Sequence, residues 1–170
     1  MAKLDSGALE LNKQWHPVEE IIGTVLTLMQ KQLVGRPVKV SLSPGMPMVF
    51  ADSVMIEQVL INLLENAARY TPPGTGLEII ADLSPQAVTI SVADHGPGIP
   101  KGKEERLFEK FYQTRHESAQ SGVGLGLAIC RAIVEFHGGK IVAQNRQGGG
   151  ALFTFVLPID QLPPTIEPEA

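Results

Sequence analysis

Leu77-Glu78-Ile79-Ile80-Ala81-Asp82-Leu83-Ser84-Pro85-Gln86-Ala87-Val88-Thr89-Ile90-Ser91-Val92-Ala93 is the stretch whose reading decides the fold. Two aliphatic, β-branched runs, 77–83 and 87–93, flank Ser84-Pro85-Gln86, a joint too short for a crossover helix, so they read as an antiparallel hairpin. Lys140 to Gln144 and Ala151 to Leu157 flank Asn145-Arg146-Gln147-Gly148-Gly149-Gly150 and read as a second hairpin. The helical patterns lie between these units, which predicts an α+β two-layer sandwich: a mixed, mostly antiparallel sheet covered on one face by helices. A doubly wound parallel sheet would need a helix between successive strands, and the two hairpins speak against it.

Upstream, Val18, Ile21, Ile22, Val25, Leu26, Met29 and Leu33 recur at helical spacing after Pro17, up to Gly35-Arg36-Pro37. Val38 to Leu42 alternates like a half-buried strand, and Met48 to Ala51 is a second short apolar run. Asp52 is a good N-cap for a helix running to about Tyr70, where Thr71-Pro72-Pro73-Gly74 stops it. Ile56, Leu60, Leu63, Leu64 and Ala67 share one side of that helix, and Gln58, Asn62, Asn66 and Arg69 form a polar stripe on another. Solvated faces are usually built from Glu and Lys, whereas Asn is a poor helix former, so Asn62 and Asn66 suggest a face with a task. Residues 1–15 are mixed in character and read as the remnant of a preceding element or an added start.

Downstream of the first hairpin comes Asp94-His95-Gly96-Pro97-Gly98-Ile99-Pro100, a carboxylate at a strand end followed by spaced glycines. It is either a surface turn or a rigidly held acceptor suited to an exocyclic amine. Lys103 to Lys110 predicts a short helix, with Phe108, Phe111 and Tyr112 aromatic side chains for a core or a ligand. The polar segment Gln113 to Ser121 is the expected lid, and it leads into Gly122-Val123-Gly124-Leu125-Gly126-Leu127 before a helix over 125–137. A glycine-rich run at a helix start is either a plain turn or an anion site. His137-Gly138-Gly139 ends that helix, and the proline-rich, acidic stretch 158–170 reads as a disordered tail.

The chain of 170 residues, 44% hydrophobic and 19% charged, suits one domain with short appendages, here 16–157. A net charge of −4 argues against nucleic acid or an anionic membrane as partner. One cysteine, Cys130, excludes a disulfide framework and a cysteine-based zinc site. No apolar run approaches the ~18 residues of a membrane span, so the chain reads as a soluble, cytoplasmic piece.

Taken jointly, Asn62-x-x-x-Asn66-x-x-Arg69-Tyr70, Asp94-x-Gly96-x-Gly98, Phe108-x-x-Phe111 and Gly122-x-Gly124-x-Gly126-Leu127 resemble the ATP-binding domain shared by sensor histidine kinases, DNA gyrase B, Hsp90 chaperones and MutL, above all its histidine-kinase branch. The wording of 7–17 and 122–135 is similar to potassium-responsive Kdp-type sensor kinases. The resemblance implies ATP and Mg²⁺ as ligands, with Asn66 on the metal, Arg69 on phosphate and Tyr70 against adenine or ribose. It implies Asp94 as acceptor for the adenine amine, Gly96, Gly98 and Ile99 shaping that pocket, and Thr154 supporting a water at the same edge. Lys110 or Arg115 would reach the phosphates from the lid, Phe111 would contact the nucleotide, and Gly122, Val123, Gly124, Leu125, Gly126 and Leu127 would wrap the β- and γ-phosphates. Asn62 stands where the hydrolytic members carry a glutamate, so spontaneous hydrolysis should be slow. Glu65, rotated about 60° from Asn62, is either an i,i+4 partner of Arg69 or a catalytic group.

None of His16, His95, His116 or His137 has the context of a phosphoacceptor. The resemblance therefore implies a catalytic domain acting on a histidine of a separate dimerisation domain, with a response regulator as indirect partner. It further implies a monomeric isolated domain, a homodimeric full-length kinase and a cytoplasmic position beneath an inner-membrane sensor. The competing readings are a nucleotide-binding interaction module without chemistry and a hydrolytic ATPase.

Overall fold

Both hairpins form. A computed structural model describes residues 10–109 and 126–159. Within them the chain runs β1 (Gln14–Pro17), α1 (Val18–Leu28), β2 (Val38–Leu42), β3 (Met48–Ala51), α2 (Ser53–Arg69), β4 (Leu77–Ser84), β5 (Ala87–Ala93), a 3-10 turn (Arg106–Phe108), α3 (Gly126–Phe136), β6 (Lys140–Asn145) and β7 (Ala151–Pro158). The main sheet has the order β2-β4-β5-β7-β6. Only β2 with β4 is parallel; the other three pairings are antiparallel. β1 and β3 form a separate antiparallel pair.

Strand alternation sets the layers. Leu77, Ile79 and Ala81 of β4, Val88, Ile90 and Val92 of β5, and Phe153, Phe155 and Leu157 of β7 are all buried on one face. The register places Ile79 opposite Val92 and Ile90 opposite Phe155, so these side chains form continuous rows across the sheet. Against them pack Val18, Ile22 and Val25 of α1, Ile56, Leu60, Leu63 and Leu64 of α2, and Cys130, Ile133 and Val134 of α3, in one cluster. Each fully buried large aliphatic contributes about 1.5–3 kcal/mol, so this layer is the frame that holds the site. Burial pushes the Cys130 thiol up to about 12, which makes it a core group and not a nucleophile.

The helix ends are tied together. Asp52 Oδ1 accepts from Met55 N–H at 3.3 Å, the expected N-cap of α2. His137, just past α3, contacts the Ile133 carbonyl oxygen through Nδ1 at 2.9 Å, and its Nε2 accepts from Asp52 N–H at 3.0 Å. A carbonyl only accepts, so the proton sits on Nδ1 and the ring is neutral.

The structure departs from the sequence reading in places. α1 ends at Leu28; Met29 and Leu33 still bury, but from turns that close at Gly35, whose φ is 78°. The segment 103–109 holds only the 3-10 turn. Gln14 and Trp15 belong to the folded unit, because β1 pairs with β3 and Trp15 stacks at 5.1 Å on Phe50. Pro158 is the last residue of β7, opposite Ala87, and Ile159 N–H donates to the Gln86 carbonyl at 2.8 Å, so both belong to the sheet, and the rest of the expected tail lies outside the described residues.

Candidate functional site

Asp94 follows directly on β5, in the middle of the sheet, and is 4% exposed. Its Oδ1 accepts from Gly96 N–H at 2.9 Å and from Ala151 N–H at 3.0 Å. Its own N–H donates to the Ala151 carbonyl at 3.0 Å, continuing the β5–β7 pairing. Two backbone donors on one oxygen fix the plane of the carboxylate. Among the described residues no hydrogen bond engages Oδ2, which leaves it as the acceptor for a guest.

That guest space is a cavity of about 260 Å³ between α2, the 94–100 turn, the start of α3 and β7. Asn66 and Tyr70 supply one wall, Asp94 and Ile99 another, Leu127 a third and Phe153 the floor. The lining is mainly apolar with a few convergent polar groups, the composition of a small-molecule site. Tyr70 Oη is buried and, among the described residues, has no hydrogen-bond partner.

Of the residues expected at the site, Asn66, Tyr70, Asp94, Gly98, Ile99 and Leu127 line this cavity. Gly96 lies beneath, its amide on Asp94, with the Tyr70 carbonyl so close that a Cβ at Gly96 would meet it at 2.8 Å. Asn62 does not line the cavity: its Oδ1 accepts from Gln58 Nε2 at 2.9 Å and its Nδ2 donates to the Gly126 carbonyl at 3.3 Å, tying α2 to the first residue of α3. Arg69 is not brought to the cavity either. One helical step of three residues rotates it about 60° from Asn66, and it is exposed over a separate groove it shares with Glu65 and Arg36. Thr154 is a correction: Phe153 and Phe155 face the core, so Thr154 points through the opposite face, where its hydroxyl pairs with Ser91 Oγ at 2.8 Å. Lys110, Phe111, Arg115, Gly122, Val123, Gly124 and Leu125 lie outside the described residues, as does the expected lid.

Besides Leu107, Ala151 and Phe153 of the lining, three further contributors escaped the sequence reading. Asn145, at the end of β6, accepts from Ile99 N–H at 2.6 Å and donates to the Ile99 carbonyl at 3.0 Å. Arg146 donates to the Asp94 carbonyl at 2.9 Å and pairs with Glu78 at 3.4 Å. Gly150, with φ 96°, passes so near that a Cβ would run into the Asp94 carbonyl oxygen. The available signal was the glycine run 148–150, longer than a hairpin turn requires.

This sandwich, with a carboxylate at the end of a central strand and an asparagine-bearing helix across the cavity, is that of an ATP-binding domain. The chain belongs to the family of histidine kinase-, DNA gyrase B-, and HSP90-like ATPases, which it matches over residues 51–161. Within it the chain groups with histidine kinase catalytic domains. The nucleotide-free catalytic domain of histidine kinase ThkA aligns with a TM-score of 0.76 at 32% identity, over 88% of this chain and 97% of that one. ThkA in complex with the response regulator TrrA aligns with a TM-score of 0.74 at 31% identity, over 92% of this chain and 45% of that one. Full-length ShkA in complex with AMPPNP gives 0.82 at 31% identity, over 96% of this chain and 34% of that one. Sensor protein KdpD of Escherichia coli (strain K12) is 43% identical over 167 residues, 98% of this chain but 18% of KdpD's length. The chain is thus an ATP-binding catalytic domain of the sensor-histidine-kinase type, matching a small part of that relative. Among the described residues no helix is long and apolar enough to cross a membrane.

Proposed function

We propose that the cavity binds Mg²⁺-ATP and that the domain delivers the γ-phosphoryl group to a histidine on a separate dimerisation domain of the same protein, for onward transfer to a response regulator. The observation that carries this is the Asp94 carboxylate, held by two backbone N–H groups at the edge of a cavity of about 260 Å³. Oδ2 accepts from the adenine amine, and the apolar lining from Ile99 to Phe153 receives the ring beside Tyr70. The donor set also fits a metal: Asn66 is 8% exposed at the cavity, and Mg²⁺ takes few protein oxygens because it keeps waters and phosphate oxygens. Held there, the ion supplies charge neutralisation for the phosphates. Arg69, exposed at the end of α2, is assigned a phosphate contact made when nucleotide is present, and Gly122 to Leu127 the cradle for the β- and γ-phosphates. Asn62 is a carboxamide committed to Gln58 and Gly126, with no basicity to activate water, so the domain holds ATP for its protein acceptor.

In the full protein the domain works on the cytoplasmic side of a homodimeric membrane sensor. The test is incubation with γ-labelled ATP, Mg²⁺ and a purified acceptor hairpin carrying the phosphorylatable histidine. Acid-labile label on that histidine is expected, together with negligible label on this chain alone. Nucleotide binding without any transfer would leave an interaction module; rapid phosphate release without acceptor would make it a hydrolase.

A further inference from the structure

The geometry points to Asn145, the last residue of β6, and Arg146, the first of the turn to β7, as positioning residues that set the preference for adenine over guanine; this inference rests on the assignment of Asp94 to the base.

A carboxylate selects an amine only if it cannot retreat. Guanine presents a carbonyl where adenine presents its amine, so a fixed Oδ2 meets it acceptor to acceptor and leaves both groups unpaired, the arrangement that gives a site its largest discrimination. A carboxylate on a loose turn moves aside and the discrimination falls, since specificity is a difference between two affinities. What holds the 94–99 turn is therefore what selects the base.

Both ends of that turn are held by consecutive side chains of one distant turn. At the Asp94 end, Arg146 Nη1 donates to the Asp94 carbonyl at 2.9 Å and sits 3.3 Å from His95 Nδ1. Its Nη2 is anchored by Glu78 at 3.4 Å, a β4 residue paired with Ala93. At the Ile99 end, the Asn145 carboxamide takes both backbone groups of Ile99, at 2.6 and 3.0 Å, as a neighbouring strand would. The clamp is itself closed by Arg146 N–H donating to the Gly150 carbonyl at 2.8 Å. Gly98, with φ 85°, lies so close to Asn145 Oδ1 that a Cβ would strike it, so only a glycine lets the turn rest against its clamp. Neither side chain lines the cavity. They act on the nucleotide only through the backbone they hold.

The test compares equilibrium binding of ATP and GTP, each with Mg²⁺, to the whole chain and to Asn145→Ala and Arg146→Ala, with thermal unfolding of each nucleotide-free protein. Loss of a hydrogen bond that positions the acceptor is expected to weaken ATP about tenfold and leave GTP within about twofold, so the ATP-to-GTP preference drops about tenfold. Arg146→Lys, which keeps one donor, is expected to recover most of the preference. Asn145→Asp, which keeps the acceptor for Ile99 N–H but loses the donor, is expected to recover about half on a logarithmic scale. If an alanine variant does not fold, its conservative partner gives the reading. An unchanged ATP-to-GTP ratio in both positions overturns the inference, and so does a parallel loss of both nucleotides that follows the melting temperature. Asp94→Asn separates the two layers of argument. If it too keeps the preference for ATP, the assignment of Asp94 has failed; if it alone loses the preference, only the clamp has.

Discussion

Replacing Asp94 by Asn changes one atom that matters and leaves the scaffold intact. The amide oxygen can keep both bonds now made by Oδ1, to Gly96 N–H at 2.9 Å and Ala151 N–H at 3.0 Å. The reverse orientation would aim an NH₂ group at those two donors, so the side chain is locked with its NH₂ toward the cavity. There a donor faces the adenine amine, another donor. The lost hydrogen bond to a charged acceptor amounts to about 1.5–3 kcal/mol, and the unpaired buried donor to a further ~1–3 kcal/mol. Together these predict ATP affinity lower by roughly 10²- to 10⁴-fold. The measurement is isothermal titration of ATP with Mg²⁺, alongside thermal unfolding without nucleotide, which should shift by only a few degrees for a loss of about 1 kcal/mol or less. A folded Asp94→Asn protein whose Kd for ATP stays within about tenfold of the parent would refute the reasoning, because nothing in the geometry lets an amide replace the second carboxylate oxygen.

Asn66→Ala should remove most of the Mg²⁺ dependence of ATP binding while leaving metal-free nucleotide binding nearly unchanged; titrations with and without EDTA read this directly. Gly139→Ala should destabilise the fold by about 1–3 kcal/mol or more, since its Cβ would collide with the Val156 carbonyl of β7, and urea denaturation measures it. The third case concerns pH. Burial, first of all, lowers the His137 pKa from 6.5, and nearby Lys13 adds to this while the bond to Ile133 and the charge of Asp52 oppose it. A folded-state pKa below the unfolded one means the unfolded chain takes up the proton first. The contribution is therefore fully present above about pH 6.5 and is lost as pH falls toward the depressed folded value. Protonation also removes the Nε2 lone pair that accepts Asp52 N–H. Urea midpoints should thus drop between pH 7.5 and 5.5, and His137→Gln should flatten that part of the profile; an unchanged slope in the variant would assign the pH dependence to other groups.

The layers of this fold were legible where chemistry is local. The 77–93 hairpin announces itself because its joint excludes a crossover, and α2 because Asp52 caps it and Thr71-Pro72-Pro73 stops it. Asn66 and Asp94 could be singled out on the same grounds, one on a helix face and the other just past a strand, whereas Tyr70 followed only from the resemblance. α1 was overextended because Met29 and Leu33 keep helical spacing while burying from turns. β1 was missed because Gln14-Trp15-His16-Pro17 has no alternation of its own and depends on its register with β3. Asn145, Arg146 and Gly150 stayed invisible for a related reason, since their partners are backbone atoms of Asp94 and Ile99 brought close only by the order of β5, β7 and β6. The misplacement of Thr154 is different. Alternation with Phe153 and Phe155 already assigned it to the far face, and that local rule should have outweighed the resemblance.

β7 comes after every other described strand in the chain yet lies between β5 and β6. While a ribosome is still short of residue 151, β5 and β6 have no common neighbour, Asp94 has no Ala151 amide to rest on, and the cavity lacks its Phe153 floor. On the proposed assignment of the cavity, nucleotide capture waits for β7, and truncation before that strand would yield a polypeptide with all three described helices and no affinity for ATP. Ligand-induced protection during synthesis would thus time the insertion of a single central strand.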